Sequence, residues 1–300
     1  MSQKRVLLTG ATGFLGSHLL EALLKQDYKV VILKRSTSDT WRINHLLDQV
    51  KSYDVDVVEL ERAFEEQHID YVIHAACHYG RNSEPVSQIV EINLIFGLQI
   101  LDACLKFNID TFFNTDTFFN TNPSNFQYLG TYSLSKKQFT EWLKLESNKI
   151  RIVNLRLQHV YGPKDGKGKF VNWLLDQFDH NVKRVPLTEG SQLRDFIYID
   201  DVVSAYIIAL QQSDHFDGFN SFNVGTGVQS SVKHFVTVLH KAYKDLNPEN
   251  TTVLGFGDLS MHVGELDRVD SDNSELQRLG WSAQTALERG VIKIIQKHLE

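Results

Sequence analysis

The stretch Arg5 to Leu33 constrains the fold more than any other part of this chain. A β-branched and leucine-rich run, Arg5 to Thr9, leads into Gly10-Ala11-Thr12-Gly13-Phe14-Leu15-Gly16. The apolar positions from Ser17 to Leu24 then fit a helix, and Tyr28 to Leu33 reads as a second strand. Strand, glycine loop, helix and strand in about 30 residues form a βαβ unit. Glycines at every third position permit a tight turn, a close approach of backbone N–H groups to a phosphate, and close packing of helix on strand. The helix N-terminus adds a dipole that favours a pyrophosphate. Gly10, Thr12, Gly13, Phe14 and Leu15 are therefore candidate dinucleotide contacts. A tight turn without ligand is the competing interpretation.

The end of the second strand bears on which dinucleotide is bound. An acidic residue there bonds the ribose 2′-hydroxyl of NAD. This chain instead reads Leu33-Lys34-Arg35-Ser36. Two cations and a hydroxyl suit a 2′-phosphate, with Arg35 as the planar partner, so NADP(H) is expected over NAD(H). A solvated basic turn is the alternative. Asp54 is placed within reach of an adenine.

Further strand–helix alternation follows. A short helix is expected from Asp39 to Val50, a weak strand over Val50 to Val58, and a helix from Glu59 to His68. Ile69 to Ala76 is a buried strand whose small final residues, Ala75 and Ala76, let a dinucleotide pass close. His74 reads as structural. His78 and Tyr79, in the loop after this strand, are candidate substrate contacts. Pro85 suits a first helical position behind an Asn82 or Ser83 cap, and that helix runs to about Phe107. Asp110 to Thr115 is a strand with a polar end, Asn122-Pro123-Ser124-Asn125 a loop, residues 132–148 a helix and Ile150 to Leu157 a strand. Five such repeats predict an α/β fold of Rossmann type, a doubly wound parallel sheet. Residues 1–157 form its dinucleotide-binding domain, which also receives segments near 193–228. Residues 158–300 supply mainly a smaller substrate-binding lobe.

Tyr132 and Lys136 are four apart and share one helix face. A phenol near ~10 holds its proton at neutral pH, and an adjacent ammonium favours the phenolate. Such a tyrosine exchanges a proton with a substrate oxygen, and a strand-end threonine hydroxyl bonds the same oxygen.

The formal net charge is −6 with no basic block, so neither nucleic acid nor an acidic membrane is indicated as partner. Cys77 and Cys104 lack metal or redox spacing and read as buried, reduced thiols of a cytoplasmic protein; no metal is expected. No run approaches ~18 uninterrupted apolar residues, so no membrane span is expected.

Taken together, these residues resemble the extended short-chain dehydrogenase/reductase superfamily, in its nucleotide-sugar branch. The matching pieces are Thr9 to Gly16, His74-Ala75-Ala76, Asn93, Thr115, Tyr132 with Lys136, and Val160-Tyr161-Gly162-Pro163. Further matches are Arg194-Asp195-Phe196 with Asp200-Asp201, Asn223 to Gly227, and Leu279-Gly280-Trp281. Asn114 to Phe119 and His159 to Gly166 look most like bacterial 4-keto reductases of deoxysugar synthesis. The resemblance implies Tyr132 as general acid, Lys136 tuning it and holding the nicotinamide ribose, and Thr115 on the substrate oxygen. Asp116, Thr117 and His159 join the implied substrate contacts, and Arg194 meets the substrate diphosphate. A further arginine usual before the pair matching Gly264-Glu265 is missing, with His262 or Arg268 as substitutes. Related 4,6-dehydratases carry a glutamate where this chain has Thr117, and a hydroxyl cannot be the base that removes a C5 proton. The implied reaction is NADPH-dependent reduction of a nucleotide-linked 4-keto-6-deoxyhexose, CDP-linked before dTDP or GDP. An epimerase and a dinucleotide-sensing protein without turnover are the alternatives. Relatives often dimerise through helices equivalent to 86–107 and 133–148, so Leu98, Leu101, Phe139 and Trp142 are either interface or core.

Overall fold

The computed structural model describes residues 3–121, 129–261, 264–269 and 271–299. The expected loop at 122–125 and the alternative His262 lie outside them. Seven parallel strands make the central sheet: β1 Arg5–Thr9, β2 Lys29–Lys34, β3 Lys51–Asp54, β4 Tyr71–His74, β5 Thr111–Thr117, β6 Arg151–Leu157 and, much later in the chain, β11 Phe219–Val224. Their order is β11-β6-β5-β4-β1-β2-β3. The chain winds outward from β1 to β3, then returns to β4 and winds the other way. The strand order thus reverses between β1 and β4, and a crevice opens at their C-terminal ends, where open α/β sheets bind ligands. The expected Rossmann-type sheet is the observed one.

Both faces are covered because the strands are apolar on both sides. Along β5 successive side chains alternate, so Phe113 faces one core with Val6, Leu8, Leu20 and Tyr206. Phe112 faces the other with Leu101, Phe139 and Leu143. Helices α1 (Phe14–Lys25) and α7 (Ile199–Gln211) lie on the first face. On the second face lies a continuous helix of three parts: α3 (Val86–Val90), a π segment Glu91–Ile95 and α4 (Phe96–Lys106). It packs on α5 (Gly130–Glu146). A Cβ on Gly97 would come within 2.8 Å of the Phe139 ring, so only glycine allows this crossing. Leu101 and Phe139, left open as interface or core, are core. Residues 86–106 are long and apolar enough to cross a membrane by length and composition, but here they form one wall of the second core.

After β6 the elements shorten. Strand β7 (His159–Tyr161) pairs with β10 (Phe196–Tyr198), β8 (Arg184–Leu187) with β13 (Val253–Phe256), and β9 (Leu193–Arg194) with β12 (Ser230–Ser231). Helices α6 (Phe170–Asp179), α8 (Val232–Leu246) and α10 (Leu287–Leu299) surround them. The first core runs without a break from Val6 into this part, as far as Ile295.

Local differences from expectation have local causes. Residues 39–43 are not helical, and the helix is a 3₁₀ turn over Asn44–Gln49. The Asp39 carboxylate bonds the Trp41 N–H instead of starting a helix. Pro85 stands one residue before α3 as its cap. Cys104 is buried as expected, but Cys77 is exposed where the chain leaves β4.

His74 is structural, as read. It is wholly buried, its Nδ1 lies 2.9 Å from the Thr9 hydroxyl, and the same hydroxyl accepts the Ala76 N–H. Burial, and then the Lys136 charge, depress its pKa to about 3. An unfolded histidine takes its proton near ~6.5 and this folded one only near 3, so stability falls as pH drops through that interval. His74→Asn is expected to flatten the acid limb of unfolding free energy against pH. An unchanged limb would show that His74 does not set it.

Candidate active site

The crevice at the sheet reversal opens into a cavity of about 1440 Å³. That exceeds the usual range for one drug-sized ligand, and it extends from the glycine loop to β8, β13 and α8. Gly10, Thr12, Gly13, Phe14 and Leu15 line one end with Ala75 and Ala76. Gly10 has φ +72°, and a Cβ there would sit 2.7 Å from the Ala75 and Ala76 backbone. A Cβ on Gly16 would overlap the Gly10 carbonyl oxygen and lie 2.6 Å from its carbon. Gly13 closes the turn, its N–H on the Gly10 carbonyl at 2.9 Å. Helix α1 starts here with no side-chain cap and no acidic residue in its first turn. Its leading N–H groups are the anion donors that a pyrophosphate needs. The residues present therefore fit a dinucleotide.

At the ribose corner the structure changes the reading. Lys34 and Arg35 line the cavity, but the Lys34 ammonium is paired with Asp54. Asp54, expected near an adenine, is committed to that pair. Ser36, expected as a second donor to a 2′-phosphate, gives its N–H and its hydroxyl to the two oxygens of Asp56, both at 2.7 Å. These carboxylates come from the end of β3 and the turn after it, not from the end of β2 where the sequence was read.

At the centre, Tyr132 and Lys136 lie on the inner face of α5, both buried at the cavity wall. Burial pushes the Tyr132 phenol well above its ordinary value, and Tyr79 and Cys77 push the same way. The Thr117 hydroxyl, hydrogen-bonded to it, acts in the opposite direction. The net shift is upward, opposite to the lowering expected from Lys136, and the phenol is held protonated. Lys136 is itself lowered by burial, against the charge of Asp116.

The two strand-end threonines have different partners. Thr115 and Thr117 share a face of β5. The Thr115 hydroxyl lies 2.7 Å from that of Tyr206, a wholly buried residue of α7, while Thr117 is the one bonded to Tyr132. Asp116, on the other face, accepts from Asn120 at 2.6 Å and from Asn154 at 3.0 Å. It borders the cavity with its carboxylate already occupied.

Tyr79 stacks on Tyr132, with centroids 4.8 Å apart and planes at 27°. The Lys169 ammonium lies over the Tyr79 ring, 3.6 Å from its centroid, and the Arg81 guanidinium lies 5.2 Å from it. The His78 ring borders the cavity, while its backbone is clamped by Asn93, which accepts its N–H at 2.7 Å and donates to its carbonyl at 2.8 Å. A third Asn93 contact reaches Ser135 on α5, so this one buried residue ties the loop after β4 to the helix carrying Tyr132. His159 packs 4.3 Å from Phe118, its buried Nδ1 has no hydrogen-bond partner, and burial depresses it to about 3. It is neutral at physiological pH.

Farther along, Arg194 is buried on the cavity wall and pairs with Glu265 at 2.9 Å. Its neighbour Asp195 accepts from Thr226 and Gly227, and a Cβ on Gly225 would overlap that carboxylate. That is why the two distant motifs occur together. Sequence reading missed Tyr206, Lys169 and Asp56, and named Glu265 only as half of the Gly264-Glu265 pair. Lys169 precedes an amphipathic helix and Arg81 follows Tyr79 in the chain, so cations were visible there; Tyr206 and Asp56 have no local signal.

The model of the NAD dependent epimerase/dehydratase family matches residues 6–225. The chain belongs to this family. It is an enzyme of the oxidoreductase type on the extended short-chain dehydrogenase/reductase fold. It is 33% identical over 299 residues to CDP-abequose synthase of Salmonella typhimurium, covering 97% of each chain. A putative UDP-glucose 4-epimerase of Methanocaldococcus jannaschii is 26% identical, again covering 97% of each. Among solved structures, UDP-glucuronic acid 4-epimerase of Bacillus cereus, in complex with UDP-glucuronic acid and NAD, superposes with a TM-score of 0.81. It is 25% identical, covering 99% of this chain and 100% of the other.

Proposed function

We propose that this enzyme reduces the C4 ketone of a nucleotide-linked 4-keto-6-deoxyhexose with NADPH, in the making of deoxysugar precursors of polysaccharides such as O-antigen. The observation that carries this reading is the partner of Tyr132. A protonated phenol stands beside a hydroxyl, Thr117, and the nearby carboxylate of Asp116 is turned away onto two asparagines. That arrangement donates a proton and offers no base for removing one from C5, which supports reduction over dehydration. The similarity to CDP-abequose synthase supports a CDP-linked sugar before a dTDP- or GDP-linked one.

A bound reduced nicotinamide supplies the hydride. Tyr132 gives its proton to the oxygen as negative charge develops there, and Thr117 steadies the phenol. Lys136 stands beneath the site, lowered by burial against the charge of Asp116. Tyr206 holds the Thr115 hydroxyl, which donates to the same substrate oxygen. Arg194 and Lys169 are the cations for a diphosphate, and the neutral His159 hydrogen-bonds the sugar side. His78 and Tyr79 close the wall. The segments after residue 158 act as the substrate lobe around the sheet domain of residues 1–157. The exposed Ile95, Leu134, Trp142 and Leu145 on the α4–α5 face favour a homodimer, and the protein works in the cytoplasm.

An epimerase is the second reading, favoured by the acidic Asp56 at the ribose corner. A panel of CDP-, dTDP- and GDP-4-keto-6-deoxysugars separates the two, followed by nicotinamide absorbance, with the product identified by NMR. One NADPH oxidised per sugar converted is the expected result. Interconversion of sugars without net oxidation would replace it with the epimerase. Sedimentation velocity of the same preparation gives the subunit number, and a monomer would remove the dimer.

A further inference from the structure

Two carboxylates reach the ribose corner from the strand beyond it. Asp54 neutralises Lys34, and Asp56 takes both donors of Ser36. The geometry is built in by the sheet. Lys34 and Asp54 are register partners across β2 and β3, and the Val55 N–H bonds the Lys34 carbonyl at 2.9 Å. The Val57 and Val58 N–H groups both close on the Asp54 carbonyl, which sets the turn that presents Asp56. Asp56 lines the cavity in company with Arg35. Of Lys34, Arg35 and Ser36, Arg35 is thus the one that makes no ion pair or hydrogen bond with Asp54 or Asp56.

We propose that Asp56 is the residue that limits this enzyme's preference for NADP(H) over NAD(H), opposing Arg35. The assignment rests on the dinucleotide reading above. A 2′-phosphate brought to Arg35 meets the Asp56 carboxylate as a like charge, and it finds the Ser36 donors already bonded. A 2′-hydroxyl meets the same carboxylate as an acceptor and donates to it. One side chain therefore disfavours one cofactor and favours the other. Because the corner is exposed, the repulsion is screened by salt.

The test is direct binding to the ligand-free protein, with NADPH and NADH titrated by nucleotide fluorescence at low and high salt. Asp56→Asn is expected to tighten NADPH about fivefold while leaving NADH unchanged or weaker. Asp56→Ser is expected to do the same, and high salt to shrink the NADPH gain. Arg35→Ala is expected to weaken NADPH selectively. A ratio of the two dissociation constants that stays within twofold of wild type in both Asp56 variants overturns the assignment while the dinucleotide reading stands. If the wild type binds neither dinucleotide, both are overturned.

Discussion

Tyr132→Phe is expected to lower kcat for ketone reduction by about 10²–10⁴-fold, with KM nearly unchanged. Phenylalanine keeps the ring that stacks on Tyr79 at 4.8 Å and fills the same buried space, so packing is retained. What is lost is the proton and its hydrogen bond to Thr117. The loss is confined to the transition state because only there does the substrate oxygen carry charge that needs the proton. Thr117→Val, which removes the hydrogen bond and leaves the proton, should cost less than Tyr132→Phe. Near-normal turnover by Tyr132→Phe would show that another group delivers the proton. Thr115, held by Tyr206, is the hydroxyl to examine in that event.

The second large effect concerns the fold and the cofactor site together. Gly16→Val is expected to destabilise the enzyme by about 3 kcal/mol or more and to abolish dinucleotide binding. Its Cβ would overlap the Gly10 carbonyl and sit 2.9 Å from the Ala11 Cα. Both are backbone atoms in a turn that itself presses on Ala75 and Ala76. Nothing there is a flexible side-chain end that can swing aside. Helix α1 would have to lift from β1, carrying its N-terminal donors away from the crevice. Gly13→Ala is the control for stability alone, since its Cβ would meet only the Gly10 oxygen, at 3.2 Å. Denaturant unfolding and NADPH titration check both. A Gly16→Val protein within about 1 kcal/mol of wild type would mean that the helix tolerates the shift.

The sequence by itself determined the sheet class, the cofactor turn and the Tyr132–Lys136 pair. Each of these is written in residues near one another: glycines spaced by three, apolar runs with a period of two or 3.6, two side chains one helical turn apart. The return of a strand near 193–228 to the sheet domain was legible, but its place beside β6 was not. What tertiary structure alone decided are partners brought from elsewhere in the chain. Thr115 was read as the hydroxyl for the substrate oxygen; its partner Tyr206 comes from α7, 91 residues away, and Thr117 is the hydroxyl beside Tyr132. Asn93 reaches 42 residues to Ser135, and Arg194 reaches 71 to Glu265. The ribose corner is the sharpest case. The stretch Leu33 to Ser36 holds no carboxylate, yet Asp54 and Asp56 stand beside it, 20 residues on. Parallel strands cannot be joined by a tight turn, so a neighbour across β2 and β3 is always distant along the chain. Charge balance at such a corner is therefore set by strand register, which local residue patterns do not carry.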